Sequence, residues 1–188
     1  EDDEQRFSVA RAKGEVLTDK GRYDEAMRVY DAALKPDVFN SDLLYTRAML
    51  AERMGKIDIL ERDLRAIIAR EPDNAQALNA LGYTLADSTK RYDEALTLIT
   101  RAMELSPKDF YILDSMGWVL YRLGRIDESI DYLQRARALR NDPEVAAHLG
   151  EVLWVKGDRD AARKTWSAAL RETPNNEKLL EVIKRLAP

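Results

Sequence analysis

The chain has 188 residues, 45% of them apolar and 34% charged, with no Cys and one His, enough apolar material for one domain or one array of small units. The net charge of −4 argues against nonspecific binding of a phosphate backbone, which needs clustered Lys and Arg, so nucleic acid is not an expected partner. The longest charge-free stretch, Asn74 to Ala86, is thirteen residues, short of the roughly 20 that a membrane span takes, and without Cys there is no disulfide, thiol nucleophile or thiolate metal site.

The chain opens EDDEQRF, with no Met, no basic apolar leader and no lipid-acceptor Cys, which reads as a processed chain or an excised fragment. Residues 1–6 are expected to be a frayed acidic segment. Beyond them the sequence repeats. GRYDEAM (21–27), GKIDILE (55–61), KRYDEAL (90–96), GRIDESI (124–130) and GDRDAAR (157–163) start 34, 35, 34 and 33 residues apart. A small residue precedes each of them by seven residues, or by eight in the third, at Gly14, Ala48, Gly82, Gly117 and Gly150. Others follow at Ala26, Ala95, Ser129 and Ala162, and at Ala33, Ala102, Ala136 and Ala169, with Leu60 and Ile67 in the second unit. Small residues at such offsets let two helices approach closely, and Tyr30, Leu64, Ile99, Leu133 and Trp166 between them are expected to fill the groove of a neighbouring helix.

Pro72, Pro107 and Pro174 mark helix exits, because proline has no N–H to continue the ladder. Apolar residues recur at three- and four-residue spacing and nowhere alternate, so each unit is predicted to be helix, tight turn, helix. Five units fit, at about 7–40, 41–74, 75–109, 110–142 and 143–176. The last segment, NNEKLLEVIKRL, is an amphipathic helix with Asn175 or Asn176 as N-cap, predicted to cap the array over 177–188.

A unit of this length, with a Gly-x-Tyr-Asp-Glu-Ala turn and a closing Pro, resembles the tetratricopeptide repeat (TPR). The resemblance covers about residues 7–176 and implies an all-α, right-handed superhelical solenoid of antiparallel helix pairs. Two units depart from the pattern: Leu60 and Ile67 replace small residues in the second, and Lys90 replaces the turn Gly in the third, beside an extra residue.

The inventory for catalysis is thin. His148 is the single His, so at most one triad is possible. His148 with Glu151 is one short of the three ligands zinc normally takes, and the pair is expected to sit on an inner helix face. The glycines are isolated rather than grouped in a phosphate loop, and the run RARALR (135–140) reads as a solvated face. No enzyme activity, cofactor or metal is expected.

In the TPR family the first helix of each unit lines a concave groove. Helical spacing then places Tyr45, Asn79, Tyr83, Tyr111, Asp114, Ser115, Trp118, Tyr121, Arg122, His148, Glu151 and Trp154 in it as partner-binding residues. Tyr and Trp beside Asn, Asp or Arg are the usual material of interface hot spots. Trp166, at a packing position, is assigned to the core. Arg11, Arg53, Asn79 and Arg122 form no Lys ladder, so capture of a C-terminal carboxylate is not expected.

Three blocks, ALNALGYTLAD (77–87), LDSMGWVLYRLGR (113–125) and HLGEVLW (148–154), resemble the C-terminal portion of the TPR lipoproteins of Gram-negative bacteria. That group includes the outer-membrane adaptor for a carboxy-terminal processing protease that degrades cell-wall hydrolases. The resemblance implies a periplasmic scaffold anchored through a lipid outside this chain, with the protease, its substrates, or both as partners. The alternatives are a self-assembly module and the regulatory domain of a larger enzyme.

Overall fold

The computed structural model describes residues 3–34 and 38–187. Among these residues there are eleven helices and no strand. They are α1 (Asp3–Asp19), α2 (Tyr23–Ala33), α3 (Ser41–Arg53), α4 (Ile57–Arg70), α5 (Ala75–Ser88), α6 (Tyr92–Leu105), α7 (Phe110–Arg122), α8 (Ile126–Leu139), α9 (Pro143–Lys156), α10 (Arg159–Glu172) and α11 (Glu177–Leu186). Odd-numbered helices are the first of each pair. Among the described residues no helix is long and apolar enough to cross a membrane. The helices group into two compact units, Glu1–Leu81 and Gly82–Pro188, which divide within α5.

The two kinds of helix start differently. Asn40, Asn74, Asp109, Asp142 and Asn176 precede the first helices α3, α5, α7, α9 and α11, and their side chains accept the N–H of Leu43, Ala77, Tyr111, Glu144 and Leu179. Each cap satisfies a donor that the helix cannot. The second helices α2, α4 and α8 instead leave tight turns at Gly21, Gly55 and Gly124, which hold positive φ, a region that only Gly enters freely. Their N-cap residues Arg22, Lys56 and Arg125 make no capping bond. The third turn has Lys90 where the others have Gly, and needs no positive φ. Its extra residue lets Thr89 Oγ1 donate to the Leu85 carbonyl and accept the Arg91 N–H, at 2.5 and 3.0 Å.

Within each pair the small residues of the first helix receive a bulky one from the second. A Cβ at Gly82 would lie 2.6 Å from Ile99 Cγ1, and one at Gly117 would lie 2.5 Å from Leu133 Cγ. Tyr30 occupies the same place over Gly14, and Trp166 over Gly150. Trp166 is buried, as its packing position implied. Ser129, standing where other units have Ala, is buried too and donates to the Gly117 carbonyl at 2.7 Å, which removes the cost of burying a hydroxyl.

The unit Glu1–Leu81 has its core in Phe7, Leu17, Tyr30, Leu43 and, from the second pair, the large residues Leu60, Leu64 and Ile67. An ion pair crosses it that the sequence did not suggest. Arg47 on α3 grips Asp63 on α4 through two hydrogen bonds of 2.6 and 2.8 Å, and reaches Asp31 on α2 at 2.8 Å. Burial disfavours the guanidinium charge, but the two carboxylates outweigh it and hold the Arg47 pKa above its ordinary value. Asp3 to Arg6, expected as part of a frayed lead-in, form the first turns of α1; residues 1–2 lie outside the described residues. Acidic side chains favour a helix N-terminus, and Arg6 is tied to Asp3 and to the Ala33 carbonyl.

The unit Gly82–Pro188 buries Leu133, Leu149, Val152, Trp166, Leu179 and Val182 in one cluster. Helix α11 therefore contributes Leu179 and Val182 to a shared core on α9 rather than resting on a surface.

Candidate functional site

The side chains with unusual surroundings lie along the first helices of Gly82–Pro188. Helix α5 contributes Tyr83 and Asp87, one turn apart. Helix α7 contributes Asp114, Trp118, Tyr121 and Arg122, and α9 contributes Glu144, His148 and Glu151 at four- and three-residue steps. Residues at these steps share one helix face. Helix α11 adds Lys178 and Arg185, two turns apart.

These residues form a connected network. His148 Nδ1 lies 2.9 Å from Asp114 Oδ2, and its ring stacks on Trp118 with centroids 4.2 Å apart. The Trp118 indole N–H donates to Asp87 Oδ1 at 3.1 Å. Tyr83 donates to Glu144 at 3.1 Å and accepts from Lys178 Nζ at 3.0 Å, while Lys178 also pairs with Glu144. Arg185 donates to Glu151 Oε2 at 2.6 Å, and Tyr121 to Glu151 Oε1 at 3.4 Å. Arg122 reaches the Asp87 carbonyl at 3.1 Å and the Tyr92 hydroxyl at 2.8 Å.

Burial sets the electrostatics. It pushes the Tyr83 phenol far above its ordinary pKa, with Glu144 adding to the effect, and raises Tyr121 with help from Glu151. Burial alone would raise Glu144, but the charge and hydrogen bond of Lys178 hold it below the usual carboxylate value. Both phenols stay protonated as donors, and Glu144 stays an anion.

Five of the residues expected to line an open groove are interior. Asp114, Ser115, Trp118, His148 and Glu151 are each 7% exposed or less. Adjacent first helices lie close enough for the His148 ring to fill the space against Trp118, and hydrogen bonds repay the buried polar atoms. His148 pairs with Asp114 on the preceding first helix, not with Glu151, which is held by Arg185. Trp154 is also misplaced by the groove assignment. Its ring lies 5.7 Å from Trp166, under Arg159 and Arg163 of α10, because it falls one turn after Gly150 on the face that packs on α10.

Tyr111 is 54% exposed with its ring against Phe110, while Tyr83, Tyr121 and Arg122 are half-buried. Tyr45 and Asn79 are half-buried in the unit Glu1–Leu81, and Asn79 Oδ1 has no hydrogen-bond partner among the described residues. The network's members missing from the expected set are Asp87, Tyr92, Glu144, Lys178 and Arg185. The last two carry a signal in the sequence: each follows an acidic residue of α9 by 34 positions, Glu144 or Glu151.

Short helix pairs repeated at this interval, with interacting side chains on successive first helices, define a repeat protein of the helix-pair class, which works by binding other molecules along its surface. Family profiles described as Tetratricopeptide repeat match residues 11–40, 73–142 and 115–177. The chain belongs to the tetratricopeptide-repeat family, whose members generally mediate protein–protein interaction. It is 50% identical over 139 residues to a TPR repeat-containing protein of Pseudomonas aeruginosa, covering 74% of this chain and 24% of that protein. It is 26% identical to the Hsp70-Hsp90 organizing protein of Triticum aestivum, over 94% of this chain and 30% of that one. The chain thus spans about a quarter of the length of its Pseudomonas relative. Among solved structures, a thermophilic TPR protein of Thermus thermophilus superposes with TM-score 0.79 at 23% identity, covering 99% and 97% of the two chains. MamA from AMB-1 superposes with TM-score 0.67 at 26% identity, covering 89% and 99%.

Proposed function

We propose that the chain is a non-enzymatic adaptor that holds a carboxy-terminal processing protease, its cell-wall hydrolase substrates, or both. The proposed location is the periplasm, with an outer-membrane lipid anchor outside these residues. The observation that carries the reading is the layered first-helix face of Gly82–Pro188. A floor of buried Trp118 and His148 lies under a rim where Tyr111, Asp87, Lys178 and Arg185 are exposed. Such a floor fixes the rim side chains before a partner arrives, which lowers the entropy cost of binding. The protease as partner rests on the resemblance of the three sequence blocks at 77–87, 113–125 and 148–154 to the TPR lipoproteins of Gram-negative bacteria.

The test is capture of a catalytically inactive carboxy-terminal processing protease on the immobilised chain. Tyr111→Ala with Arg122→Ala is expected to weaken capture at least about tenfold, or about 1.4 kcal/mol, with an unchanged helical circular dichroism spectrum. Absence of capture by the parent chain, or equal capture by the folded variant, would remove the reading.

A second reading rests on α1, where Val9 and Val16 are 60% and 53% exposed and two turns apart. That apolar stripe suits stacking on another copy. Light scattering over a range of concentrations separates the two, since a constant monomer mass excludes self-assembly.

A further inference from the structure

A second surface lies on the other side of α9 from the His148 network. Ala138 of α8 and Ala161 and Ala168 of α10 line a groove of about 470 Å³ between α8 and α10, over the buried Leu149 and Leu153. Arg137 of α8 and Lys164 and Arg171 of α10 surround it, against a single carboxylate, Asp158, whose Oδ1 already caps α10 through the Ala161 N–H.

The three cations differ from most others in the chain. Exposed arginines are repeatedly tied to a carboxylate three or four residues away: Arg22 to Glu25, Arg65 to Glu61, Arg91 to Glu94, Arg125 to Glu128. In the basic run 135–140, Arg135 lies over the Tyr132 ring and Arg140 over Phe110. Arg137, Lys164 and Arg171 have neither an ion pair nor a ring among the described residues. A chain of net charge −4 therefore gathers unneutralised positive charge around one apolar trough.

We propose that this groove docks an acidic amphipathic peptide segment of a partner protein, its apolar side on Ala138, Ala161 and Ala168 and its carboxylates against Arg137, Lys164 and Arg171. Apolar anchors in a trough rimmed by opposite charge are the helix-in-groove mode of recognition, with charge setting orientation and on-rate. A second copy of this chain is a poorer occupant, because its own exposed carboxylates are so often engaged by neighbouring arginines. The proposal is independent of the first-helix face.

The test uses the whole chain and a fluorescein-labelled peptide of about 15 residues, long enough to form a helix on binding, built of Glu with Leu at three- and four-residue spacing. Fluorescence anisotropy is expected to show saturable binding that weakens as salt rises. Arg137→Glu with Lys164→Glu should weaken it at least about tenfold, and so should Ala138→Trp, which fills the groove without changing charge. Lys20→Glu with Arg28→Glu, the same charge change on exposed sites of the other unit, should leave it within about twofold. Circular dichroism checks that each variant is folded. Three outcomes overturn the proposal: no binding by the parent chain, equal binding by the groove variants, or equal loss in the Lys20 and Arg28 control. A concentration-dependent dimer abolished by the groove substitutions, with no peptide bound, would assign the groove to a second copy instead.

Discussion

His148 and Asp114 are thirty-four residues apart in the chain and their side chains meet in the interior, Nδ1 to Oδ2 at 2.9 Å. The same interval joins Glu144 to Lys178 and Glu151 to Arg185. Stacking repeats brings equivalent positions of successive first helices side by side, so complementary groups at one register position clasp neighbouring units. Helix α11 obeys the same register, with its cap Asn176 thirty-four residues after Asp142. It therefore occupies the place of a further first helix, tied by charge as well as by Leu179 and Val182.

Removing Arg185 should loosen that clasp. Glu151 is only 4% exposed, and Arg185→Ala leaves its carboxylate with the long Tyr121 contact alone. The expected loss is about 2 kcal/mol in urea unfolding, with Arg185→Lys recovering part of it. Lys178→Ala, at a more open pair, should cost under about 1 kcal/mol.

Glu144 gives the pair a pH signature. Its folded pKa lies below the ordinary value, so folding favours the anion. The stabilisation is complete above the unfolded value of about 4.3 and is lost as pH falls through the lower folded one. Glu144→Gln should be less stable than the parent at about pH 7 and converge on it in acid. Urea midpoints across that range check the sign; a gap that widens in acid contradicts it.

Gly150 and Trp166 form the tightest of the small-to-large contacts. A Cβ at Gly150 collides with a buried indole, so Gly150→Ala is expected to cost about 1–3 kcal/mol. In a Trp166→Leu background the same substitution should cost less by at least about 0.5 kcal/mol. Equal costs in both backgrounds would show that the indole is not the obstacle.

Trp118 and Tyr111 should separate folding from binding. Trp118→Ala empties a buried site and removes the stack on His148, an expected loss of about 3–5 kcal/mol. Tyr111→Ala, at an exposed ring, should stay within about 0.5 kcal/mol, so only it reports on capture without altering the fold. Near-ultraviolet circular dichroism and urea unfolding distinguish the two.

In the unit Glu1–Leu81 the corresponding weak point is polar. Arg47→Ala leaves Asp63, 1% exposed, with only the exposed Arg62 as cation at 3.0 Å. The expected cost is about 3 kcal/mol or more, measured by the same denaturation.

The repeat interval, the helix pairs and the small-to-large contacts were legible because they depend on neighbours a few residues away. Glycine at four of the five turns, an Asn or Asp before a first helix, and a bulky side chain nine residues past each turn act through local geometry, and each recurs from unit to unit to be compared. Complementary charge at the repeat interval was written there too, in Glu144 with Lys178 and Glu151 with Arg185. Exposure was decided elsewhere. Whether Trp118 faces a partner or the flat side of His148, and whether Trp154 looks along the first helices or toward α10, depends on how closely successive pairs stack. That distance is set by the side chains of three helices at once. Spacing along one helix gives direction but not depth, so the outline of the surface could be read from the residues, while the burial of its aromatic floor, and the uncompensated charge around Leu149 and Leu153, belong to the packed structure alone.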